Sequence, residues 1–461
     1  MREIIKKALE EVKPIEADER LVKQAAEEII QRVKAACKKL KIDAKPMLVG
    51  SVARGTWLRN ERDIDIFILF PEELSREDLE RQGLAVAREV AERKGRERFA
   101  EHPYVMMDFK GFDVDLVPCY DVAKPSEIKS AVDRTPHHQR YMREHLTPEL
   151  VDEVLLVKKF MEGIGVYGAE LKIQGFSGYL CELLTLHHGS FKKLVEAASK
   201  WKPVVIIDHE RNYTDESEPA ILFEGQPLVV IDPVDPNRNV AAAVSAQNFS
   251  VFVRACQEFL SEPRREFFSP RKVKLLDARE VRRILKRRGT KIFCVVFGTP
   301  DLVPDVLYPQ LRKTEHAFVA RLGQAGFDVQ RSDVWGDSKS VILIEVDASK
   351  LASVQTRVGP PVTIEVGDFI REHLRSKENM AGPFVDGEGR VVFELERKET
   401  DARDVLKQAL EERTAFGKHV AEAIKKGYKL MEEAGLVKLL HDKKFREFIS
   451  EYLTRCLPWY R

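Results

Sequence analysis

Two aspartates interrupt an apolar segment in the first quarter of the chain. The stretch Gly50–Phe70 reads GSVARGTWLRNERDIDIFILF, with Asp63 and Asp65 set among isoleucines. Residues i and i+2 share one face of a strand, so both carboxylates should project together. Like charges this close raise each other's pKa unless a cation neutralises them, and carboxylate oxygens suit Mg²⁺. The pair therefore predicts a metal site, with surface aspartates at the end of an edge strand as the alternative.

A second acid pair follows about fifty residues later. The segment FAEHPYVMMDFKGFDVDLVPCY indicates a hairpin through Lys110-Gly111, and its second strand carries Asp113 and Asp115. Three carboxylates from two neighbouring strands suit two divalent ions about 4 Å apart, one on the attacking oxygen and one on a triphosphate. The arrangement points to phosphoryl or nucleotidyl transfer.

The start of the same stretch has the composition of a phosphate-binding loop. A short strand runs into Gly50-Ser51, and small residues there let backbone N–H groups approach a phosphate closely. The Ser51 hydroxyl and Arg54 would add donors. Such a loop is weak evidence alone and gains its weight from the acids on the following strand.

The elements around these residues alternate between helices and strands. Apolar periodicity predicts two N-terminal helices separated by Pro14, a helix around Ser75–Lys94 and another from about Pro148. GFSGYLCELL predicts a buried helix with a structural role. A chain of 461 residues should divide into about three domains.

Composition narrows the class of protein. The chain is 44% hydrophobic and 33% charged, which is typical of a soluble globular protein, and its net charge of +1 does not by itself indicate a nucleic-acid partner. Six scattered cysteines without CxxC spacing predict reduced thiols in a cytoplasmic protein. The charged N-terminus lacks the apolar run of a signal peptide, and no membrane span is expected.

Eight sequence blocks between about residues 50 and 245 resemble one family. The Gly-Ser loop, the D-x-D strand and a third Asp are similar to the nucleotidyltransferase superfamily of DNA polymerase beta and the poly(A) polymerases. More narrowly, the chain resembles the archaeal, class I CCA-adding enzymes. The blocks that carry this resemblance are GSVARGTWL, DIDIFILFPEE, AEHPYV, VDLVPCY, SAVDRTPHH, GVYGAE, GFSGYLCELL and DPVDPNRNVAA.

The resemblance implies a multidomain α/β (α+β) fold. We expect a polymerase-beta-like nucleotidyltransferase head over residues 1–145, a helical neck over 146–262, and a C-terminal body and tail that bind tRNA over 263–461. It also implies that Asp63, Asp65 and Asp115 are the catalytic residues and the Mg²⁺ ligands, with Asp63 where the family often has Glu. Asp113 would then lie outside the ligand set.

The same resemblance assigns nucleotide-binding roles. Lys158 and Tyr167, nine residues apart, would hold the triphosphate, and Arg238 would help to choose the base. His138 rests mainly on the resemblance, with neighbouring His137 as an alternative. The nucleotide-binding residues expected are Gly50, Ser51, Arg54, Thr135, His138, Lys158, Tyr167 and Arg238.

Each of these roles has a plainer alternative. Lys158 could lie on a solvated helix face, as we expect of Lys159. Arg238, expected at a helix start capped by Asn237 or Asn239, could merely pair with Asp232 or Asp235. His102 could contact substrate or pack under the sheet.

The last third of the chain begins with a basic segment. Residues 261–291 contain 12 Lys or Arg and four acids, with Phe267 and Phe268 among them. This segment could follow a phosphate backbone, although a solvated helix face explains it almost as well. A β-α-β-β order then suggests a ferredoxin-like sheet that could cradle structured RNA, and helix is expected from about residue 401 to 436.

These expectations combine into one function. The chain should add C, C and A to a tRNA 3′ end from CTP and ATP, without a nucleic-acid template, and release pyrophosphate. Expected partners are the 3′ end and acceptor/T-stem region of tRNA, and a second copy in a homodimer. The rivals are a poly(A) polymerase or oligoadenylate synthase with the same head, and a non-catalytic RNA-binding protein.

Overall fold

The computed structural model describes residues 1–92, 94–99 and 102–461, which form two compact units. The N-terminal unit comprises Met1–Lys272 together with Cys456–Arg461, and the C-terminal unit comprises Val273–Arg455. The predicted boundaries at residues 145 and 262 stay a prediction. Two of the residues in the AEHPYV block, Ala100 and Glu101, lie outside the described residues.

The first part of the N-terminal unit is a five-stranded sheet with helices on it. Its elements are α1 (Arg2–Val12), α2 (Glu16–Leu40), β1 (Lys45–Val49), α3 (Gly50–Arg54), β2 (Asp63–Phe70), α4 (Arg76–Val90), β3 (Arg96–Phe99), β4 (Pro103–Phe109) and β5 (Phe112–Tyr120). The strand order is β1-β2-β5-β4-β3. Only β2 and β5 run parallel among these neighbours; the other pairs are antiparallel.

The alternation predicted for β2 is confirmed. Ile64, Ile66 and Ile68 are buried and belong to a core shared with α2 and α4, whereas Asp63 is exposed and Asp65 only partly buried. Since β5 alternates in the same phase, its acids also face away from this core. The core therefore fixes which side of the sheet carries the carboxylates.

The segment after β1 corrects one expectation. Gly50–Arg54 forms the one-turn helix α3 instead of an open loop. Gly50 and Gly55, at its two ends, have φ values of +76° and +72°, in the left-handed region that glycine adopts without a Cβ clash. Glycines thus allow the chain to turn sharply from β1 and then leave toward β2.

The remainder of the N-terminal unit is mainly helical. Its elements are α5 (Arg134–His145), α6 (Pro148–Gly163), α7 (Gly178–His188), α8 (Phe191–Ala198), β6 (Val205–Ile207), α9 (Ser217–Leu222), β7 (Leu228–Val230) and α10 (Ala246–Ser261). They enclose an aromatic core in which Phe160 packs against Phe267, Phe268 and other rings. Phe267 and Phe268, which lie within the basic segment, are completely buried and therefore cannot contact a nucleic acid.

The helix after Arg238 also begins later than expected. Its N-cap is Ser245, whose hydroxyl accepts a hydrogen bond from the Asn248 backbone, and not Asn237 or Asn239. The Asn239 side chain instead accepts hydrogen bonds from the backbone of Val230 and Ala241, both at 2.8 Å. Arg238 consequently lies in a turn that hydrogen bonds connect to β7, and not at the start of a helix.

The C-terminal unit contains the predicted ferredoxin-like sheet. Its elements are α11 (Ala278–Arg288), β8 (Lys291–Gly298), α12 (Pro304–Gln324), β9 (Val329–Gly336), β10 (Lys339–Val346), β11 (Val354–Pro361), α13 (Gly367–Leu374), β12 (Asn379–Val385), β13 (Arg390–Glu396), α14 (Ala402–Glu412), α15 (Lys418–Lys426), β14 (Tyr428–Met431), α16 (Glu433–Leu439) and α17 (Lys443–Leu453). The order β14-β8-β10-β9 is antiparallel throughout, and β11-β13-β12 form a separate sheet inserted after β10.

One expectation for this unit is wrong. The helix predicted to continue to residue 436 is interrupted by β14, whose residues pair with Cys294–Phe297 of β8. Pairing with a long-range partner overrides the local helical preference here. The strand completes the sheet as its outer member.

Two further features concern the cysteines and the composition of the helices. Five cysteines are buried and Cys456 is exposed, and all six are free thiols. Among the described residues, no helix has both the length and the apolar composition needed to cross a lipid bilayer. The cytoplasmic location stays a prediction.

Candidate active site

A cleft of about 430 Å³ in the N-terminal unit gathers most of the predicted site residues. Its lining combines acids from the sheet with cationic and phenolic groups from the helices. The lining residues are Gly50, Ser51, Arg54, Glu61, Asp63, Asp65, Met106, Asp113, Asp115, Lys158, Tyr167 and Gly178.

The acids meet because two strands run in parallel register. Asp63 lies opposite Asp113, and Asp65 lies opposite Asp115. Burial and the neighbouring carboxylates raise the pKa of Asp65 to about 6 and that of Asp115 to about 7. Burial, together with Glu61 and Asp113, also raises the pKa of Asp63. The site thus holds more negative charge than the protein compensates.

The acids fit a divalent cation in chemistry, though not yet in arrangement. Asp115 Oδ1 is buried and has no hydrogen-bond partner, which is the state expected of a free ligand atom. Within the described ranges, no three acidic, imidazole or thiol side chains stand close enough together to hold one ion. A bound cation would offset the mutual repulsion of these carboxylates.

Gly50 is required by its contact with one of these acids. A Cβ at this position would lie 2.1 Å from Asp65 Oδ2. Because only glycine leaves this space free, the carboxylate of Asp65 can pass directly under the start of α3. The Gly-Ser pair and the D-x-D strand therefore form one packed unit.

Lys158, on α6, and Tyr167, in the segment after it, also line the cleft. Lys158 is only 1% exposed, and its Nζ donates to the Thr56 carbonyl at 2.7 Å. The solvated-face alternative is thus wrong for Lys158. Its neighbour Lys159 is partly buried as well, with a side chain 17% exposed that pairs with Glu162. The Tyr167 hydroxyl donates to Glu61 Oε1 at 3.2 Å.

Gly178 leaves room for both of these groups. A Cβ at Gly178 would lie 3.3 Å from Lys158 Nζ and from the Tyr167 hydroxyl. The GFSGYLCELL block, which the sequence predicted to be structural, therefore contributes to the cleft. Its acid Glu182 also contacts Arg54 and was not predicted as a site residue; an acid inside an apolar helix was the available signal.

His138 and Arg238 belong to a second cluster beside β7, and neither is among the residues that line the cleft. Both donate to the same oxygen of the fully buried Asp232: His138 Nε2 at 2.8 Å and Arg238 Nη1 at 2.7 Å. Burial opposes ionisation of Asp232, but the hydrogen bonds from His138 and from the Val234 backbone, together with the Arg238 guanidinium, hold its pKa below the usual value. The pairing of Arg238 with Asp232 was the plainer alternative, and it is present in the structure.

Neighbouring side chains complete this second cluster. The rings of His138 and Tyr179 stack with centroids 4.2 Å apart, and the Tyr179 hydroxyl is buried without a hydrogen-bond partner. Thr135 is partly buried at the start of the same helix α5, outside the cleft lining. His137 is buried as well, and desolvation lowers its pKa.

His102, directly before β4, is a buried residue. It is 2% exposed, and its Nδ1 lies 3.3 Å from Glu80 Oε1. Its burial corresponds to the packing alternative.

Comparison with known proteins covers nearly the whole chain. Residues 29–138 match a nucleotidyltransferase domain, 152–269 the second domain of tRNA nucleotidyltransferases, and 288–433 the C-terminal domain of CCA-adding enzymes. The CCA-adding enzyme of Methanosarcina acetivorans is 44% identical over 450 residues, which are 96% of this chain and 97% of that protein.

The chain belongs to the family of CCA-adding enzymes. A further relative, the CCA-adding enzyme of Halobacterium salinarum, is 42% identical over 86% of both chains. A solved structure of the Cid1 poly(U) polymerase covers 57% of this chain and 94% of its own, with 15% identity and a TM-score of 0.45. The predicted membership in the archaeal CCA-adding family is confirmed, and with it the class of enzyme, a tRNA nucleotidyltransferase.

Proposed function

We propose that this CCA-adding enzyme transfers CMP, CMP and AMP in turn from CTP and ATP to a tRNA 3′ end, without a nucleic-acid template. The observation that carries the proposal is the register of β2 and β5, which sets Asp65 opposite Asp115 on the wall of a cleft that also holds Lys158 and Tyr167. Acids for a metal and donors for a triphosphate thus occupy one cavity.

Asp63, Asp65 and Asp115 would hold Mg²⁺. When bound, the ions would stabilise negative charge on the triphosphate and on the attacking oxygen. The raised pKa values of Asp65 and Asp115 and the unpartnered Asp115 Oδ1 support this assignment, because they mark carboxylates whose negative charge the protein compensates only in part. Asp115 would also help to accept the proton of the tRNA 3′ hydroxyl.

The donors around the cleft would orient the incoming nucleotide. Lys158 and Arg54 offer positive charge, and Tyr167 and Ser51 offer hydroxyl groups to phosphate oxygens. The 3′ oxygen would then attack the α-phosphorus in line, breaking the bond to the β-phosphate and releasing pyrophosphate. Thr135, His138 and Arg238 would contact the nucleotide, with Arg238 acting on the base.

The proposal extends to the partners. The C-terminal unit would bind the acceptor/T-stem region of tRNA, supported by its ferredoxin-like sheet and by the exposed basic face of α11. We also propose that the protein forms a homodimer and acts in the cytoplasm.

A 3′-end assay tests this function. Purified protein is incubated with Mg²⁺, CTP, ATP and three tRNA transcripts: one without CCA, one without the final CA, and one with the complete CCA. The 3′ ends are then sequenced. We expect completion to CCA, arrest there, and no addition by Asp63→Ala/Asp65→Ala. Long A-tails would instead identify a poly(A) polymerase, and tRNA binding without incorporation would identify a non-catalytic protein.

A further inference from the structure

A fully buried acid lies behind the cleft. Glu182, on α7, has a side chain with no exposed surface. Arg54 Nε lies 3.0 Å from its Oε1 and 2.9 Å from its Oε2, and the Thr56 hydroxyl donates to Oε1 as well. A carboxylate withdrawn from water is stable only when a cation and hydrogen bonds compensate it, so Glu182 and Arg54 depend on each other.

These contacts leave part of Arg54 available to a ligand. The guanidinium carries five N–H groups. Its Nε serves Glu182, and Nη1 donates to Gln139 Oε1 at 2.9 Å. In the described part of the chain these are the hydrogen bonds of Arg54, so three N–H groups remain for the cleft that this residue lines.

Thr56 extends the contacts of Glu182 to a second cationic residue. Its hydroxyl donates to Glu182, and its carbonyl accepts a hydrogen bond from Lys158 Nζ. Thr56 is itself completely buried. The side chains that face the cleft from α3 and α6 are therefore held by one continuous set of contacts centred on α7.

Arg54 interacts with two groups of acids, the buried Glu182 and the carboxylates of the sheet. Arg54 already interacts electrostatically with Asp65 across the cleft floor. Without Glu182, the nearest uncompensated anions for this guanidinium would be the sheet carboxylates. Arg54 would then turn toward the metal-binding side instead of the nucleotide.

We propose that Glu182 is a positioning residue that aims Arg54 at the triphosphate of the incoming nucleotide. This inference rests on the proposed function. It distinguishes Glu182 from a purely structural buried acid, because its loss should weaken phosphate binding and leave tRNA binding intact.

Equilibrium dialysis without tRNA gives the first test. For Glu182→Gln we expect about tenfold weaker binding of CTP and of pyrophosphate, with an unchanged dissociation constant for tRNA in a separate filter-binding assay. Glu258→Gln is the matched control, since Glu258 accepts hydrogen bonds from Trp459 and Tyr460 away from the cleft. It should change the melting temperature and leave CTP binding as it is.

A double-mutant cycle with Arg54→Gln gives the second test. If Glu182 acts through Arg54, Glu182→Gln should add little to the loss of CTP affinity that Arg54→Gln causes alone. Additive losses, or unchanged CTP affinity in Glu182→Gln, would overturn the proposal. Should Glu182→Gln fail to fold, Glu182→Asp takes its place, and wild-type CTP and pyrophosphate affinity in that variant would overturn it equally.

The dialysis separates this inference from the proposed function. Wild-type protein that bound CTP without adding CCA would refute the function and leave the role of Glu182 in phosphate binding testable. Wild-type protein that added CCA, with Glu182→Gln unaffected, would refute only the positioning role.

Discussion

Asp65 and Asp115 face each other across the parallel pair β2 and β5, and both have carboxyl pKa values raised toward neutrality. Burial is the largest cause for each, and the other acids of the site add to it. The fold therefore holds carboxylates that repel each other close together, and a bound cation would reduce this repulsion.

Asp115→Asn should stabilise the metal-free protein at pH 8 and abolish nucleotide addition. The folded pKa of about 7 lies above the ordinary 3.8, so Asp115 contributes stability that is complete below about pH 4 and is lost as pH rises through 7. After discounting for partial exposure, we expect about 1–2 kcal/mol more stability at pH 8 and little change at pH 4. Thermal unfolding in EDTA at both pH values measures this.

Asp113→Asn serves as the control for that experiment. Asp113 lies on the same face of β5 but is exposed, so its replacement should change stability much less. Equal stabilisation by Asp115→Asn and Asp113→Asn at pH 8 would contradict the assignment of the effect to the buried carboxyl of Asp115.

Gly50→Ala should impair activity far more than Gly55→Ala. Both glycines have positive φ, so each substitution costs about 1 kcal/mol of backbone strain. Only the Gly50 Cβ collides with Asp65 Oδ2, whereas the Gly55 Cβ would meet no atom within 4 Å. We expect at least tenfold lower kcat/KM for CTP in Gly50→Ala, together with a larger loss of melting temperature, because the collision adds to the backbone strain that both variants share. Equal activities would show that the close packing under α3 has no catalytic consequence.

Asp232→Asn should relax nucleotide selection. Asp232 holds His138 and Arg238 with one carboxylate oxygen, so neutralising it loosens both donors together. We expect UTP misincorporation at the first position to rise about tenfold relative to CTP, measured by single-nucleotide extension of a tRNA lacking CCA.

The matched variant for this comparison is Asp235→Asn. The side chain of Asp235 pairs with Arg134 at 2.9 Å in the same loop. Asp235 meets Arg238 through its backbone carbonyl, which accepts the Arg238 N–H at 2.9 Å and which Asp235→Asn leaves in place. The selectivity of Asp235→Asn for CTP over UTP should equal that of the wild type. A similar loss of selectivity in Asp232→Asn and Asp235→Asn would indicate a general loosening of the loop.

Replacing Arg282, Arg283 and Lys286 of α11 by Gln should weaken tRNA binding. All three are exposed on a helix whose apolar side is buried through Val281 and Leu285. If each neutralises one phosphate, the slope of log affinity against log salt should fall in magnitude by about 2 to 3. Filter binding from 50 to 200 mM salt measures the slope.

A triple variant of α2 keeps the total charge change the same. Lys23→Gln/Lys34→Gln/Lys38→Gln removes three exposed cations from the N-terminal unit. An identical reduction of the slope in both triple variants would assign the effect to net charge rather than to α11.

Much of the site could be predicted because its residues follow one another closely in the chain. The period-two alternation of β2 determined that Asp63 and Asp65 share a face, and the turn at Lys110-Gly111 determined the hairpin that carries Asp115. The sequence motifs also identified the family. These are local consequences of strand geometry and turn chemistry, which need no knowledge of distant contacts.

The tertiary structure alone decided what surrounds these residues. Glu182 meets Arg54 from 128 positions away, and Asp232 meets His138 from 94 positions away. It also showed that Phe267 and Phe268 are core residues and that β14 is a strand. Such pairings depend on which buried surfaces come together. The partner of a buried acid can be identified only in the folded chain, because residues distant in sequence supply the compensating charge and hydrogen bonds.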